Sequence, residues 1–283
     1  MAENKWRALK DKTNRFIEGK YFMIIYFSGT GNSYSVAKKL AAAIGDEAVP
    51  LIRLAENPDS YDLEKEGCIG IVFPVYYGDV PRPVEEFFKT AKLSQYTYFY
   101  GVATCGGSYG NSLCHLRKIL KSRGCDLKYG KVSFMIANST ATWKKNVSYD
   151  YHKLDGENDL VREVARAVER KHIDYSMTKS SIMGSILSSD LVKSIGMKRF
   201  KVSVDKNACV GCGLCIRICP SHNLDLKDGK AVVGDHCAFC MACVHTCPHG
   251  GMMVNGHAIR KENQYRHPEV ELQEMFLRKG DVR

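Results

Sequence analysis

Apolar positions in the first 175 residues recur in two alternating patterns. Residues 21–27, Tyr-Phe-Met-Ile-Ile-Tyr-Phe, are an unbroken apolar run, as a strand buried on both faces requires. Further strands are predicted over 48–54, 67–73, 97–104 and 131–136. Between most of them the apolar residues return every three or four positions, which is a helical period. Val36, Ala37, Leu40, Ala41 and Ile44 make one such face, and Val84, Phe87, Phe88 and Ala91 the next. Leu113, Leu116 and Leu120 follow, then Leu160, Val161, Val164, Ala165 and Val168. Strands alternating with helices predict an α/β doubly wound parallel sheet, with a ligand beyond the carboxyl ends of the strands.

Three loops occupy those ends. The first strand runs into Ser28-Gly29-Thr30-Gly31-Asn32-Ser33 and then a helix, an arrangement that turns backbone N–H groups and a helix N-terminus towards a phosphate. The loop lacks both the Gly-Lys-Ser/Thr of a P-loop and the three-glycine spacing of a dinucleotide fold. Its many hydroxyl and amide donors, with no cation, suit a monoester phosphate. After the third strand come Pro74, Val75, Tyr76, Tyr77, Gly78 and Asp79, and after the fourth Thr104, Cys105, Gly106, Gly107, Tyr109, Gly110 and Asn111. Aromatics beside glycines provide a flat apolar wall next to backbone amides, which a planar heterocycle with polar edges requires. Cys105 has no second thiol or base nearby in sequence and reads as a small lining residue.

Beyond residue 176 the pattern changes. Ile182, Ile186, Leu187, Leu191 and Ile195 form an apolar stripe on a predicted helix linking two domains, and such a stripe needs cover. Then Cys209-x₂-Cys212-x₂-Cys215-x₃-Cys219-Pro220 is repeated 28 positions later as Cys237-x₂-Cys240-x₂-Cys243-x₃-Cys247-Pro248. Structural zinc sites usually draw on two well-separated Cys-x₂-Cys pairs, whereas each run here packs four cysteines before a proline. The spacing is that of iron–sulfur ligation. Residues 224–233 predict a hairpin around Asp228-Gly229. His222, His245 and His249 lie close by in sequence but are surplus to the thiolate count.

The cysteine runs resemble the bacterial two-cluster ferredoxins over about residues 200–255. The resemblance implies two 4Fe–4S clusters, one on Cys209, Cys212, Cys215 and Cys247, the other on Cys237, Cys240, Cys243 and Cys219. Residues 21–175, through the three loops, resemble flavodoxin, which implies FMN and a five-stranded parallel sheet of order 2-1-3-4-5. Carried over by position, residues 28–33 would hold the phosphate, and 74–79 and 104–111 the two sides of the ring, with Tyr76, Tyr77 or Tyr109 stacking. Gly78-Asp79 resembles the peptide that, in some flavodoxins, turns its carbonyl towards the half-reduced flavin; an ordinary turn before Pro81 is the alternative. The whole chain resembles the flavodoxin–ferredoxin fusion proteins, described as electron-transfer iron–sulfur flavoproteins. The expected organisation is a lead-in over 1–20, a flavodoxin-like domain over 21–176 and a linker helix over 177–199. A small α+β ferredoxin-like domain follows over 200–256, then a C-terminal segment over 257–283 packed on the fold.

Composition sharpens this picture in two ways. The formal charge of +10 over 283 residues falls to about +4 once two cubanes and one phosphate, each roughly −2, are included. With no basic stripe interleaved with aromatics, nucleic acid is not the expected partner. The residual charge either steers an acidic redox partner or is a solvated surface. No apolar run approaches a membrane span of about 18 residues. Eight cluster cysteines call for a reducing, cytoplasmic compartment, and Cys68, Cys105, Cys114 and Cys125 show no disulfide framework. The leading expectation is electron relay between FMN and the clusters to or from a redox partner, with a homo-oligomer an open option. An FMN-dependent reductase acting on a small molecule and a redox or iron sensor are the rivals. The long connection over 137–157 covers the flavin, meets the ferredoxin unit, receives a partner, or is a plain surface loop.

Overall fold

The computed structural model describes residues 22–142, 146–187, 189, 194 and 200–277. The expected lead-in over 1–20, most of the linker helix beyond 187 and residues 143–145 lie outside the described residues.

Five parallel strands, β1 (Phe22–Tyr26), β2 (Ala48–Pro50), β3 (Cys68–Pro74), β4 (Tyr98–Cys105) and β5 (Leu127–Phe134), stand in the order β2-β1-β3-β4-β5. This is the order that the resemblance to flavodoxin implies. Six of the seven β3 residues and all eight of β4 are buried, because helices cover both faces of the sheet. Ile69, Ile71 and Phe73 pack on one side with Val84, Phe88, Leu113 and Leu116. Cys68 and Val72 pack on the other with Val36, Leu40, Val161 and Val164. The intervening helices are α1 (Asn32–Ile44), α2 (Leu51–Glu56), α3 (Arg82–Thr90), α4 (Ser112–Ser122) and α5 (Glu157–Glu169).

Two elements differ from the sequence expectation. The second strand ends at Pro50, and Leu51–Glu56 is the helix α2, with Leu51 and Leu54 buried one turn apart. Apolar residues at i and i+3 serve a helix, whereas a strand would point them to opposite faces. The fifth strand begins four residues earlier than predicted and ends at Phe134, since Leu127 already pairs with Phe99 before a register shift.

The linker contains α6 (Ile182–Leu187), where Ile182 is 86% and Ile186 56% exposed, so the two halves are not joined through these residues. They share a core elsewhere: Ile218, Ala238, Cys240 and Ala242 belong to the same cluster as Phe27, Val80 and Phe73. In the smaller half, β6 (Val202–Val204) and β10 (His257–Ala258) flank β9 (Met252–Val254) antiparallel. The hairpin β7 (Leu224–Lys227) and β8 (Lys230–Val233) turns through Asp228 and Gly229, both at positive φ (53° and 71°), as a two-residue type I′ turn requires. The short helices α7 (Leu214–Ile218) and α8 (Ala242–Thr246) follow the first two cysteines of each run.

The 28-residue repeat persists in the backbone. Gly211 and Gly213 have φ of 73° and 71°, and their counterparts Phe239 and Met241 have φ of 56° and 65°. Left-handed backbone costs a side-chain-bearing residue about 1–2 kcal/mol, so the second run holds strain that the first avoids.

Candidate functional site

A cavity of about 270 Å³ opens where the carboxyl ends of β1, β3 and β4 meet the second cysteine run. Its size is close to the lower end of ligand sites, roughly 300–1,000 Å³. One end is made by Ser28, Gly29, Thr30, Asn32 and Ser33. Helix α1 starts here from Gly31, whose φ is 98° and which has no side chain to cap the first amides. Those amides and the Ser28, Thr30 and Ser33 hydroxyls could hold a phosphate. Ser33 is fixed by a 2.8 Å hydrogen bond to the Thr104 hydroxyl, and Ser28 accepts from the Tyr34 amide at 3.3 Å. Among the described residues that line the cavity there is no Lys or Arg, in keeping with a loop that relies on neutral donors.

Pro74, Val75, Tyr76 and Tyr77 form one wall, and Thr104, Cys105 and Gly106 another. Tyr77 meets Phe200 edge to face at 5.9 Å between ring centroids. Such an aromatic, hydroxyl-lined slot fits a flavin. Burial pushes the Cys105 thiol up to about 11 against the pull of the Gly107 amide, so it is not an activated nucleophile.

Several sequence-predicted residues stand off this cavity: Gly31, Gly78, Asp79, Gly107, Tyr109, Gly110 and Asn111 are not among its lining. The Gly78 carbonyl accepts from the Asn111 amide at 2.9 Å, within a turn closed between Tyr76 and Asp79. Asp79 is buried against His115 Nδ1 at 2.7 Å. The Asn111 side chain instead anchors the segment after residue 178, accepting from the Ser181 amide at 2.9 Å and donating to its carbonyl at 3.2 Å.

The remaining wall comes from Ile136, Phe200, Phe239 and Met241, which the sequence reading did not assign to the site, and from Ala137, Asn138 and Ser139, at the start of the connection for which covering the flavin is one of the alternatives. Phe239 and Met241 flank Cys240 and are the two positions where the second run replaces a glycine of the first. Comparing the runs at the 28-residue offset is the signal that could have found them.

The cysteines gather in two crossed sets. Cys209, Cys212, Cys215 and Cys247 line one cavity, and Cys219, Cys237, Cys240 and Cys243 another. Each cavity has the four-thiol donor set that a 4Fe–4S cluster needs. Among the described residues no three His, Cys, Asp or Glu side chains converge on a single-ion position. Main-chain amides point at sulfur: Ala231 to Cys209 at 3.4 Å, Asn223 to Cys219 at 3.3 Å and Phe239 to Cys237 at 3.4 Å. Burial pushes the Cys215 thiol up to about 12 and raises those of Cys240 and Cys243. Ligation must therefore expel their protons, coupling metal uptake to the fold. The three histidines have other occupations. His245 is buried between main-chain groups, His222 pairs with Glu56, and His249 is exposed beside the first cavity.

The C-terminal segment crosses the junction. The His267 amide donates to the Thr30 carbonyl at 2.9 Å, and Lys39 bridges Glu157 and Glu269 at 2.8 and 2.7 Å. Further on, the Leu277 amide donates to the Arg217 carbonyl at 2.8 Å, and the Arg217 guanidinium lies 3.7 Å over the Phe276 ring.

A flavodoxin-domain family model matches residues 23–108, and a 4Fe-4S dicluster-domain model matches residues 201–265. Over 57 residues the chain is 37% identical to a ferredoxin of Methanothermococcus thermolithotrophicus, spanning 19% of this chain and 95% of that protein. It is 44% identical over 57 residues to a ferredoxin of Thermococcus litoralis, spanning 19% and 97%. The solution structure of two-electron reduced Megasphaera elsdenii flavodoxin aligns at 20% identity and a TM-score of 0.33, over 39% of this chain and 84% of that one.

Proposed function

Since this chain belongs to the flavodoxin–ferredoxin fusions, with flavin and iron–sulfur redox chemistry in one polypeptide, we propose that it relays electrons between FMN and two 4Fe–4S clusters. A separate redox partner is the external donor or acceptor. When bound, FMN exchanges one or two electrons and each cluster one, so the set can connect unlike partners. Under this reading residues 21–176 are the flavin domain and residues 200–256 the cluster domain, working in a reducing cytoplasm.

The carrying observation is the shared wall. Phe239 and Met241, on either side of the thiol-bearing Cys240, line the cavity that also holds Ser28, Thr30 and Tyr76. The nearer cluster would thus be one loop away from the flavin. Ser28, Thr30, Ser33 and the first amides of α1 hold the phosphate in this reading. Tyr76, Tyr77, Phe200 and Phe239 exclude water from the ring. Two full sets of four cysteines hold the clusters, and Cys219 and Cys247 cross between the runs.

Anaerobic purification with flavin and iron assays, followed by dithionite titration and then candidate acceptors, tests the proposal. The expected result is stoichiometric FMN, about eight iron atoms per chain, and reoxidation by an electron-carrier protein. Direct turnover of a small molecule without any carrier would favour the reductase instead. A preparation without flavin would end the relay reading.

A further inference from the structure

Where the two halves meet, side chains form a chain of hydrogen bonds that begins and ends on the glycine-rich loop. The Asn138 side-chain amide donates to the Thr30 hydroxyl and to the Cys240 carbonyl, each at 3.2 Å. The Asn138 main-chain carbonyl accepts from His245 Nε2 at 3.1 Å. The Nδ1 atom of that imidazole accepts from the Tyr265 amide at 3.0 Å, and the Tyr265 hydroxyl donates to Asn32 Oδ1 at 2.6 Å. Thr30 and Asn32 belong to the glycine-rich loop, while His245 sits between Cys243 and Cys247.

The direction of these bonds is fixed. A main-chain amide can only donate, so His245 Nδ1 accepts and Nε2 carries the proton it gives to Asn138. The Cys240 carbonyl can only accept, which sets the orientation of the Asn138 amide. Asn32 is set in the same way, because its Nδ2 donates to the Ile136 carbonyl at 2.9 Å. No amide or imidazole in the circuit can flip without losing a bond.

We propose that Asn138 is the positioning residue through which cluster assembly on Cys219, Cys237, Cys240 and Cys243 and FMN binding at residues 28–33 favour one another. This rests on the reading that FMN and a cluster fill the two adjacent cavities. A run of thiols without metal has little to hold its loop in place. With its cluster bound, the loop presents the Cys240 carbonyl at a defined point. Asn138 then spans that carbonyl and the Thr30 hydroxyl with one amide. Whichever group binds first carries the entropy of ordering this shared segment, so the second meets a formed site. Linkage makes the effect equal in both directions.

The test uses the full chain under anaerobic conditions, with FMN bound or stripped, and follows release of cluster iron to a chelator by the loss of visible absorbance. In the wild type FMN should slow the release of the nearer cluster by about fivefold or more, at the lower edge of common coupling strengths. In Asn138→Ala that ratio should fall to under about twofold. Tyr265→Phe removes only a hydroxyl, keeps the ring packed and should lower the ratio in the same direction. It carries the comparison alone if Asn138→Ala does not accumulate folded. Equal release with and without FMN in the wild type overturns the inference, and so does a ratio unchanged in both variants. Failure of the wild type to bind FMN at all is a different result, since it removes the functional reading beneath.

Discussion

The carbonyl oxygen of Cys240 lies 2.5 Å from where a Cβ on Gly29 would stand. The glycine-rich loop and the second cysteine run therefore meet backbone to backbone at this point, with the Cys240 Cβ and the Tyr76 hydroxyl close beside it at 3.1 and 3.2 Å. In Gly29→Ala the obstacle is main chain, so one loop must move. Overpacking of this kind costs about 1–3 kcal/mol. Thermal unfolding of the loaded protein should drop by several degrees, at about 2–4 °C per kcal/mol for a chain of this size. Rapid-mixing measurements should show slower transfer between cluster and flavin. An unaltered transfer rate would mean that the two loops are not the electron path.

Phe239 separates strain from function. Its φ of 56° stands where the first run has Gly211, and the residue lines the cavity. Phe239→Gly should relieve about 1 kcal/mol of backbone strain while weakening FMN binding about tenfold, or about 1.4 kcal/mol. Quenching of flavin fluorescence gives the affinity, and denaturant unfolding the stability. Unchanged affinity would remove Phe239 from the flavin wall.

The crossing of the cysteines has a signature in double variants. Cys219 lies in the first run but lines the cavity of Cys237, Cys240 and Cys243. Cys219→Ser should lower iron from about eight to about four per chain. Adding Cys237→Ser should lose no more, whereas adding Cys215→Ser should empty both sites. The reverse pattern in the iron assay would mean that each run holds its own cluster.

Asp46 makes a pH-dependent prediction far from the cofactors. Burial raises its carboxyl pKa from 3.8 to about 6, against the pull of the Glu47 amide, and its Oδ2 is buried without a hydrogen-bond partner. Between pH 3.8 and about 6 the folded state keeps a proton that the unfolded chain has released. Stability therefore falls as pH rises through that window, and the penalty is complete above it. Asp46→Asn should raise stability by about 1 kcal/mol at neutral pH, after solvent screening of a partly exposed group, and give no gain near pH 4. Paired thermal scans at the two pH values check the sign.

Much of the architecture is legible residue by residue. The apolar run ending at Phe27 and the period of Val36, Leu40 and Ala41 mark β1 and α1 because burial on a sheet and burial on one helix face leave different repeats. Leu51 and Leu54 were harder to read, since a short apolar stretch serves either element until its neighbours choose. Gly78, Asp79 and Asn111 occupy flavodoxin-like positions in sequence, yet here they hold a turn and the segment around Ser181. Position in a motif does not say which way a side chain faces.

The sequence alone determined the succession of the five strands and of the helices other than α2 that alternate with them, the two cysteine runs and the hydroxyl-rich loop, because periodicity and ligand spacing are properties of consecutive residues. Only the tertiary structure decided that Thr30, Asn138, Cys240 and Tyr265 converge. Consecutive members of that set lie 25 to 108 positions apart in the chain, and nothing local to any of them encodes the others. Their meeting depends on how the cysteine-rich half docks on the sheet and how the C-terminal segment returns across α1. That docking turned a glycine-rich loop and an iron-binding loop into walls of one cavity.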